Sequence, residues 1–470
     1  MSAAVIPSAL VLPSALVIPS ARVIPSVARN LPSRRIGRAL ARDARSLTFA
    51  SLRLGMTGCA ALVLGMTPLR AQNPNPMDSI RKLPGYRPAA DTTTYLAESR
   101  IEKFVPRRRH AAWMAYLASS RAMYARDTAS MHQELRTLGK TEMVRAPYTH
   151  DFSVKSYMTP AWFAGDSARR MAESILSFQA PNGGWSKHVD FAAHSRQPGE
   201  SYYAESNEWE WISTVDNDQT TEEIHFLAHA DSAHHDPRYE RAISRGIDYL
   251  LASQMPNGCI PQAFPLEGSY HDAATFNDNA TVNVLSIFRE VAAGDFQNVN
   301  VKQRAAASAA VMKGIACILD AQVSVNGVLT AWGQQHDPLT YLPVSARSYE
   351  LTSLTALESA EIVDFLMTLP RPSQDVVKAV YAATRWLRSV QLHGLSYAHY
   401  ELRADPNAPP LWGRLYEIGT NRVIMANREG IKLYDWNQLT DRRSGYGWYT
   451  TLPAATLARF DVWSKSHPSP

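Results

Sequence analysis

The chain is poor in cysteine, in motifs that bind phosphate or activate a serine, and in apolar runs long enough to cross a membrane. It has three cysteines in 470 residues, which excludes zinc modules built from paired Cys-x-x-Cys motifs. Neither Gly-x-Ser-x-Gly nor a glycine-rich phosphate-binding loop occurs, which argues against serine hydrolases and nucleotide enzymes. Alternating polar and apolar stretches are also scarce, so no large β-sheet is expected.

The formal net charge of +5 depends on the first 71 residues. These hold nine of the 48 basic residues and one of the 43 acidic residues, so the remainder carries about −3. The basic pI therefore does not support nucleic-acid binding, and we expect no nucleic-acid partner. Any affinity for a polyanion has to come from local clusters of basic residues.

Residues 1–71 have the layout of a leader rather than of a folded domain. Proline-containing repeats are followed by an arginine-rich stretch and the apolar run Leu54–Leu64, with a plausible cleavage site before Gln72. This order is typical of a signal peptide and too short for a membrane span, so we expect an exported protein, periplasmic or extracellular. Cys59 after Thr-Gly offers a lipoprotein alternative, and the repeats could also reflect a mis-assigned start codon.

Removal of the leader leaves two cysteines, Cys259 and Cys317. A pair in an exported chain can form a disulfide because the compartment is oxidising. Their contexts differ, since Cys259 lies in a Pro/Gly turn and Cys317 in a helical pattern. The sequence leaves both the bridged and the free state open.

From about residue 110 the chain is mostly helical in period, and residues 155–470 form the expected catalytic domain. Residues 72–154 are less periodic and are expected to wrap the core, with an exposed turn at Pro106–His110. Apolar residues recur at helical spacing in seven stretches, namely Ala168–Phe178, Glu222–Ala230, Arg241–Ser253, Val282–Ala293, Ala305–Gln322, Glu358–Leu369 and Val376–Val390.

Four glutamines mark an internal repeat of about 70 residues. Each follows a helical stretch and precedes a turn rich in Asn and Gly, and they are Gln179, Gln254, Gln322 and Gln391. This period suits a helical hairpin with its loops, and repeated hairpins bury a shared core when they stack. The sequence predicts an all-α fold, an α/α toroid, with an open helical solenoid as the alternative. We expect a monomer.

Two clusters of amides and carboxylates precede predicted helices. They are Asp216-Asn217-Asp218 and Asn277-Asp278-Asn279. Their side-chain oxygens could cap the helices by accepting from first-turn N–H groups. Because both clusters hold more oxygens than a cap needs, they could instead bind a hard cation at a shared site.

Several cations lie in loops between the predicted helices. Lys187 follows a Gly-Gly-Trp turn, Arg347 precedes Tyr349 and Glu350, and Arg422 and Arg443 lie nearer the C-terminus. Each alone is ordinary surface charge, but together they outline a groove suited to a polyanion.

These segments together resemble the polysaccharide lyase family 10 pectate lyases. The resemblance covers about residues 155–450 in the expected order. It is carried by Asn182-Gly-Gly-Trp-Ser-Lys187, Val215-Asp-Asn-Asp-Gln-Thr-Thr221, Tyr270-His-Asp272, Phe276-Asn-Asp-Asn-Ala280, Ala331-Trp-Gly-Gln-Gln-His-Asp337, Ala346-Arg-Ser-Tyr-Glu350, Gly419-Thr-Asn-Arg422 and Arg442-Arg-Ser-Gly-Tyr-Gly-Trp448.

The resemblance implies cleavage of polygalacturonate by calcium-assisted β-elimination on an α/α toroid. It implies that Arg347 is the catalytic base, that Asp278 is the main calcium ligand and that Asp216 is an active-centre carboxylate close to the metal. The residues expected to bind substrate are Lys187, Arg422, Arg443 and Asn279.

Two other functions remain compatible with the residues. One is an inverting glycoside hydrolase with Asp216 and Asp278 as its carboxylate pair, which requires them about 6.5–9.5 Å apart. The other is a pectin-binding protein without catalytic activity.

Overall fold

A computed structural model describes residues 95–150, 154, 156–204, 213–296 and 299–469. The predicted leader lies outside the described residues. Eleven α-helices occur in this part of the chain, and they are α1 (Glu98–Phe104), α2 (His110–Thr137), α3 (Pro160–Phe163), α4 (Asp166–Ser177), α5 (Thr221–Ala233), α6 (Pro237–Ser253), α7 (Ala280–Ala293), α8 (Val301–Ala321), α9 (Ala356–Met367), α10 (Gln374–Ser389) and α11 (Leu452–Trp463).

The helices alternate between two layers, which confirms the predicted α/α toroid. Helices α4, α6, α8 and α10 form the outer layer and contact one another in turn, while α5, α7 and α9 form the inner layer. The sequence accounts for this division. Outer helices α4, α6 and α10 bury one apolar face, whereas α9 buries residues on all sides, including Glu358 and Ser359.

The repeated glutamines join neighbouring outer helices. Gln179 Nε2 donates to Ala242 O of α6 at 2.8 Å, Gln254 Nε2 to Ala310 O of α8 at 2.9 Å, and Gln322 Nε2 to Ala379 O of α10 at 3.0 Å. Each amide also donates to a carbonyl of the turn that follows it. The glutamines that recur in the sequence therefore form hydrogen bonds between successive helical hairpins.

Three buried tryptophans make a second kind of contact that recurs along the chain. The indole N–H of Trp185, Trp332 and Trp412 donates to a carbonyl in the preceding outer helix at 2.7–2.8 Å. Each indole thereby anchors the loop that leads from an outer helix to the next inner helix. The ends of the inner helices are positioned by these loops.

The loops between the helices contain short antiparallel strands. They are β1 (Ser213–Thr214), β2 (Ala263–Phe264), β3 (Ala274–Thr275), β4 (Ser324–Val325), β5 (Val328–Leu329), β6 (Gln335–His336), β7 (Pro343–Val344), β8 (Leu354–Thr355), β9 (Leu395–Ala398), β10 (Glu401–Ala404), β11 (Trp412–Gly413), β12 (Leu415–Tyr416), β13 (Met425–Ala426), β14 (Lys432–Leu433) and β15 (Tyr449–Thr450). The pairs are β1–β2, β3–β6–β7, β4–β5, β8–β12, β9–β10, β11–β15 and β13–β14. The region between α10 and α11 has its own apolar cluster, which includes Trp436, Tyr446 and Tyr449.

The N-terminal segment contacts successive loops of the helical layers. In α2, Tyr116 Oη donates to Ser253 O at 2.9 Å, and Asp127 accepts from Asn182 Nδ2 at 2.8 Å. Arg100 of α1 pairs with Asp337 at 2.5 Å. The turn at Pro106–His110 includes an exposed 3₁₀ segment, Arg107–Arg109.

Cys259 and Cys317 form a disulfide, with 5.3 Å between their Cα atoms. It links the turn after α6 to α8 and closes a segment of 58 residues. Of the two states that the sequence left open, the structure has the bridged one. Within residues 95–469 as described, no helix combines the length and apolar character needed to cross a bilayer.

Candidate active site

The two polar clusters adopt the same turn at the start of inner helices α5 and α7. Asn217 and Asp218 have φ of 51° and 65°, and Asp278 and Asn279 have φ of 47° and 63°. A threonine hydroxyl then donates back to the carbonyl six residues earlier in both copies, from Thr220 and from Thr281. When the two turns are aligned on Thr220 and Thr281, Asp216 corresponds to Asn277, and Asn217 corresponds to Asp278.

The clusters do not cap the helices that follow them, so the capping interpretation is wrong. Thr220 and Asn279 occupy the N-cap positions of α5 and α7, and neither makes a side-chain capping hydrogen bond. The left-handed backbone turns both clusters away from the first helical turn. Their oxygens are therefore left for contacts across the site.

Asp278 receives nitrogen donors from three directions. Its carboxylate accepts from Asn277 Nδ2 at 2.7 Å, from Asn217 Nδ2 at 3.4 Å and from Arg414 Nη2 at 3.2 Å. Burial raises the pKa of Asp278; Arg414 opposes this shift, and the charge of Asp216 adds to it. The Asp278 carboxylate is therefore poorly solvated and is paired with one cation, Arg414.

Asp216 pairs with Lys187, Nζ to Oδ2 at 2.6 Å. Burial acts to raise the pKa of Asp216, but Lys187 and then Arg347 outweigh it, and the pKa lies below the ordinary value. The other carboxylate oxygen, Oδ1, is buried and has no hydrogen-bond partner among the described residues. Asp216 is therefore a charged carboxylate with one unused oxygen.

Arg347 forms a two-point ion pair with Glu350, with Nε–Oε2 at 2.7 Å and Nη2–Oε1 at 2.5 Å. Its Nη1 atom makes no hydrogen bond to the part of the chain that the structure describes. Burial acts to lower the pKa of Arg347, but Glu350 outweighs it and raises the pKa well above the usual value. Arg347 interacts electrostatically with both Asp216 and Asp278, so it belongs to the same site.

Sequence reasoning missed Arg414, which is buried at the centre of the site. Its Nη2 donates to Asn277 Oδ1 at 3.0 Å and to Glu358 Oε1 at 2.7 Å as well as to Asp278. Its guanidinium lies 4.6 Å from the ring centre of Tyr446. The only signal was its place after Trp412-Gly413, which parallels Trp332-Gly333 in the preceding repeat.

The remaining predicted substrate residues lie in separate surroundings. Arg422 stacks on Tyr434 at 3.6 Å, and Arg443 lies 5.0 Å from the ring of Trp436. Asn279 faces Glu361 of α9 and has a buried, unpaired Oδ1 within the described structure. The structure thus brings Lys187, Asp216, Asp278 and Arg347 together at one centre. Arg442, which precedes Arg443 in the same motif, stacks on Tyr349 at 4.2 Å.

The donor atoms at this centre suit a hard divalent cation. The Asp278 carboxylate and Asp216 Oδ1 are oxygen ligands of the kind that calcium prefers, and Asp216 Oδ1 is buried without a partner in the described chain. A different group, Asp231, His235 and Glu240, lies at the turn between α5 and α6. It includes a histidine and none of the predicted site residues.

Carboxylates, amides and arginines gathered where the inner helices of an α/α toroid begin form a charged site of a size and character suited to an acidic sugar polymer. The chain belongs to the pectic acid lyase family, whose sequence profile matches residues 179–457. The family assignment made from sequence motifs is confirmed, and the chain is a polysaccharide lyase.

Solved structures that resemble this chain include two of one bacterial enzyme. One is the family 10 polysaccharide lyase from Cellvibrio cellulosa, which is 31% identical with a TM-score of 0.57 and covers 67% of this chain and 99% of that chain. The other is a mutant of that lyase in complex with trigalacturonic acid, 32% identical with a TM-score of 0.57, covering 65% of this chain and 98% of that chain. Comparison with curated protein sequences yields no match.

Proposed function

We propose that this pectate lyase cleaves α-1,4-linked polygalacturonate by calcium-assisted β-elimination and releases 4,5-unsaturated oligogalacturonates. The observation that carries the proposal is the meeting of Asp216, Asp278, Lys187 and Arg347 at one centre. A trigalacturonic acid complex of a family 10 relative supports the choice of substrate.

The reaction removes the proton at C5, which is weakly acidic because it lies next to the uronate carboxylate. The C4–O bond then breaks, a C4–C5 double bond forms, and the released oxygen, which stays on C1 of the neighbouring unit, takes up a proton from solvent. Asp278 and Asp216 would hold calcium through their carboxylate oxygens, and Asn279, next to Asp278 in the chain, is proposed to bind the substrate. When bound, calcium would neutralise the uronate carboxylate, stabilise the charge that develops on it and favour the neutral form of a nearby base.

Arg347 is the proposed proton acceptor, through Nη1. Glu350 holds Nε and Nη2, so it fixes the guanidinium plane and leaves Nη1 for the substrate. The same ion pair keeps Arg347 protonated in the absence of substrate. The base role therefore requires that positive charge at the site and exclusion of water lower the pKa of Arg347 when the uronate binds.

Lys187 is proposed to bind a uronate carboxylate while it keeps Asp216 charged. Arg422 and Arg443, each stacked on an aromatic ring, are proposed to bind carboxylates farther along the chain. Arginine suits this task because its planar guanidinium binds a carboxylate through two parallel hydrogen bonds.

Export is part of the proposal. The leader-like layout of residues 1–71 supports it, and so does the disulfide between Cys259 and Cys317, because such bridges persist in oxidising compartments. Pectate is a polymer outside cells, so an exported enzyme meets its substrate.

The test is the full-length protein with polygalacturonate, first with calcium and then with a chelator, followed by ultraviolet absorbance of the unsaturated product. We expect turnover with calcium, none with chelator, and none for Arg347→Ala. A hydrolase would give saturated ends in both conditions, and a binding protein would leave polymer length unchanged. Substantial turnover by Arg347→Ala would remove Arg347 from the base role.

A further inference from the structure

Strands β9 and β10 form a hairpin with a strained tip. Ala398 pairs with Glu401, so the loop consists of His399 and Tyr400, with φ of 50° and 60°. Left-handed backbone is unfavourable for residues that carry a Cβ, and two-residue loops of this kind prefer Asn-Gly. Strain of this kind at an exposed tip is a reason to ask what the side chains there contact.

The hairpin lies against the wall of the active site. Tyr397 of β9 donates from Oη to Tyr446 O at 3.4 Å, and Tyr446 Oη in turn donates to Gln334 Oε1 at 3.2 Å. Gln334 Nε2 donates to Asn277 Oδ1 at 2.8 Å. A continuous set of contacts therefore joins the hairpin to the turn that carries Asp278.

Tyr400 is 45% exposed and close to Tyr397. Burial raises the pKa of Tyr397 to about 12, and the nearby phenol of Tyr400 and the carboxylate of Glu401 contribute to that shift. The tip thus presents an aromatic ring to solvent beside residues that belong to the site wall.

Arg443 lies at the same end of the hairpin. Its Nη2 is 3.9 Å from Glu401 Oε2, and its guanidinium is held over Trp436, whose ring centre is 5.7 Å from that of Tyr397. The Arg443–Glu401 pair is exposed and therefore weak, so a uronate carboxylate can displace Glu401.

We propose that the β9–β10 tip forms a distal subsite, in which the Tyr400 ring packs against a galacturonate unit whose carboxylate binds Arg443. This inference rests on the proposed function and assigns recognition of longer chains to the hairpin. Aromatic faces suit the apolar face of a sugar, and the phenol adds a polar contact.

The test compares KM and kcat on polygalacturonate and on trigalacturonate. Tyr400→Ala is expected to raise KM for polygalacturonate roughly three- to tenfold, with kcat and the trigalacturonate kinetics unchanged, while Tyr400→Phe retains most of the affinity. Phe104→Ala, an exposed aromatic of α1, serves as the matched control.

A double variant separates strain from function. His399→Asn with Tyr400→Gly should relieve the turn and raise Tm, yet show the same rise in KM as Tyr400→Ala. A higher Tm with an unchanged KM would overturn the subsite. Equal loss on both substrates with a lower Tm would also overturn it, because that pattern marks a structural role.

Binding of polygalacturonate to Arg347→Ala, with and without Tyr400→Ala, measures the subsite without turnover. A wild-type protein that releases no unsaturated product contradicts the proposed function alone. Equal affinity of the two Arg347→Ala proteins contradicts the subsite alone.

Discussion

The side-chain amide of Asn217 donates to the carboxylate of Asp278 across 3.4 Å, and the two residues occupy the same position in successive copies of one left-handed turn. The repeat thus places an amide where its neighbour has a carboxylate. Asn217 supplies the hydrogen-bond donor and Asp278 the charged acceptor. The two turns therefore share one backbone conformation but differ in the side chain at this position.

Asp278→Asn tests the proposed metal ligand. Loss of the charge should abolish measurable calcium binding by titration calorimetry and lower kcat at least about 100-fold, because metal-assisted stabilisation of the carboxylate is lost. Asp375→Asn, an exposed carboxylate of α10, is the matched control. Calcium affinity equal to wild type in Asp278→Asn would exclude it as a ligand.

Gln322→Ala tests the lateral amide bond. The change leaves Thr330 O without its donor and removes a second donor from Ala379 O, which keeps its bond within α10, and this should lower the free energy of unfolding by about 2 kcal/mol. Chemical denaturation measures this value. Gln133→Ala, at an exposed position of α2, should change it by less than about 0.5 kcal/mol.

Replacement of Cys259 and Cys317 by serine tests the disulfide. A bridge that closes 58 residues stabilises by about 4 kcal/mol through the entropy of the unfolded chain. The double variant, and wild type under reducing conditions, should therefore show a lower Tm than oxidised wild type. Identical Tm values for all three would mean that the bridge does not stabilise the fold.

His336 should make stability depend on pH below neutrality. The Gly333 N–H donates to Nε2 at 2.9 Å and Tyr341 O lies 2.7 Å from Nδ1, so the ring is neutral, and burial lowers its pKa to about 4. The folded pKa is lower than the unfolded value, so this stability is present above about pH 6.5 and is lost as pH falls towards 4. The loss is at most about 3 kcal/mol.

Comparison of denaturation curves for wild type and His336→Gln over that range measures this contribution. The variant should lose less stability than wild type between pH 6.5 and 4. His393→Gln, at an exposed position, should behave like wild type. Parallel curves for wild type and His336→Gln would contradict the assignment of the pH dependence to His336.

The helical layers are predicted well from the sequence because each predicted helix has apolar residues at helical spacing, and these residues form its buried face. All seven predicted helices are present with ends shifted by a few residues. Helix α2 lies in the region predicted as mostly helical from about residue 110, but it was not among the seven stretches because its buried face includes Ser120 and Asp127, which break the apolar pattern. Two-residue strands were missed because alternation cannot be read over so short a length.

The site was predicted in part. Asp216, Asp278, Arg347 and Lys187 were recognised from local motifs, and the structure brings them together. Arg414 lies 137 residues from Asn277 in the chain. From the sequence, a single arginine between Gly413 and Leu415 is expected to be an ordinary surface charge. Only the closing of the helical layers shows that it is buried between carboxylates.

The glutamine bonds between outer helices also have a consequence for local unfolding. Each bond joins one helix to the next, and Gln391, the fourth of the series, makes no equivalent bond in the described structure. Helix α10 therefore has an amide bond on one side, whereas α6 and α8 have one on both. Amide hydrogen exchange should accordingly be fastest in α10 among these three helices, so the outer layer would open from its C-terminal end.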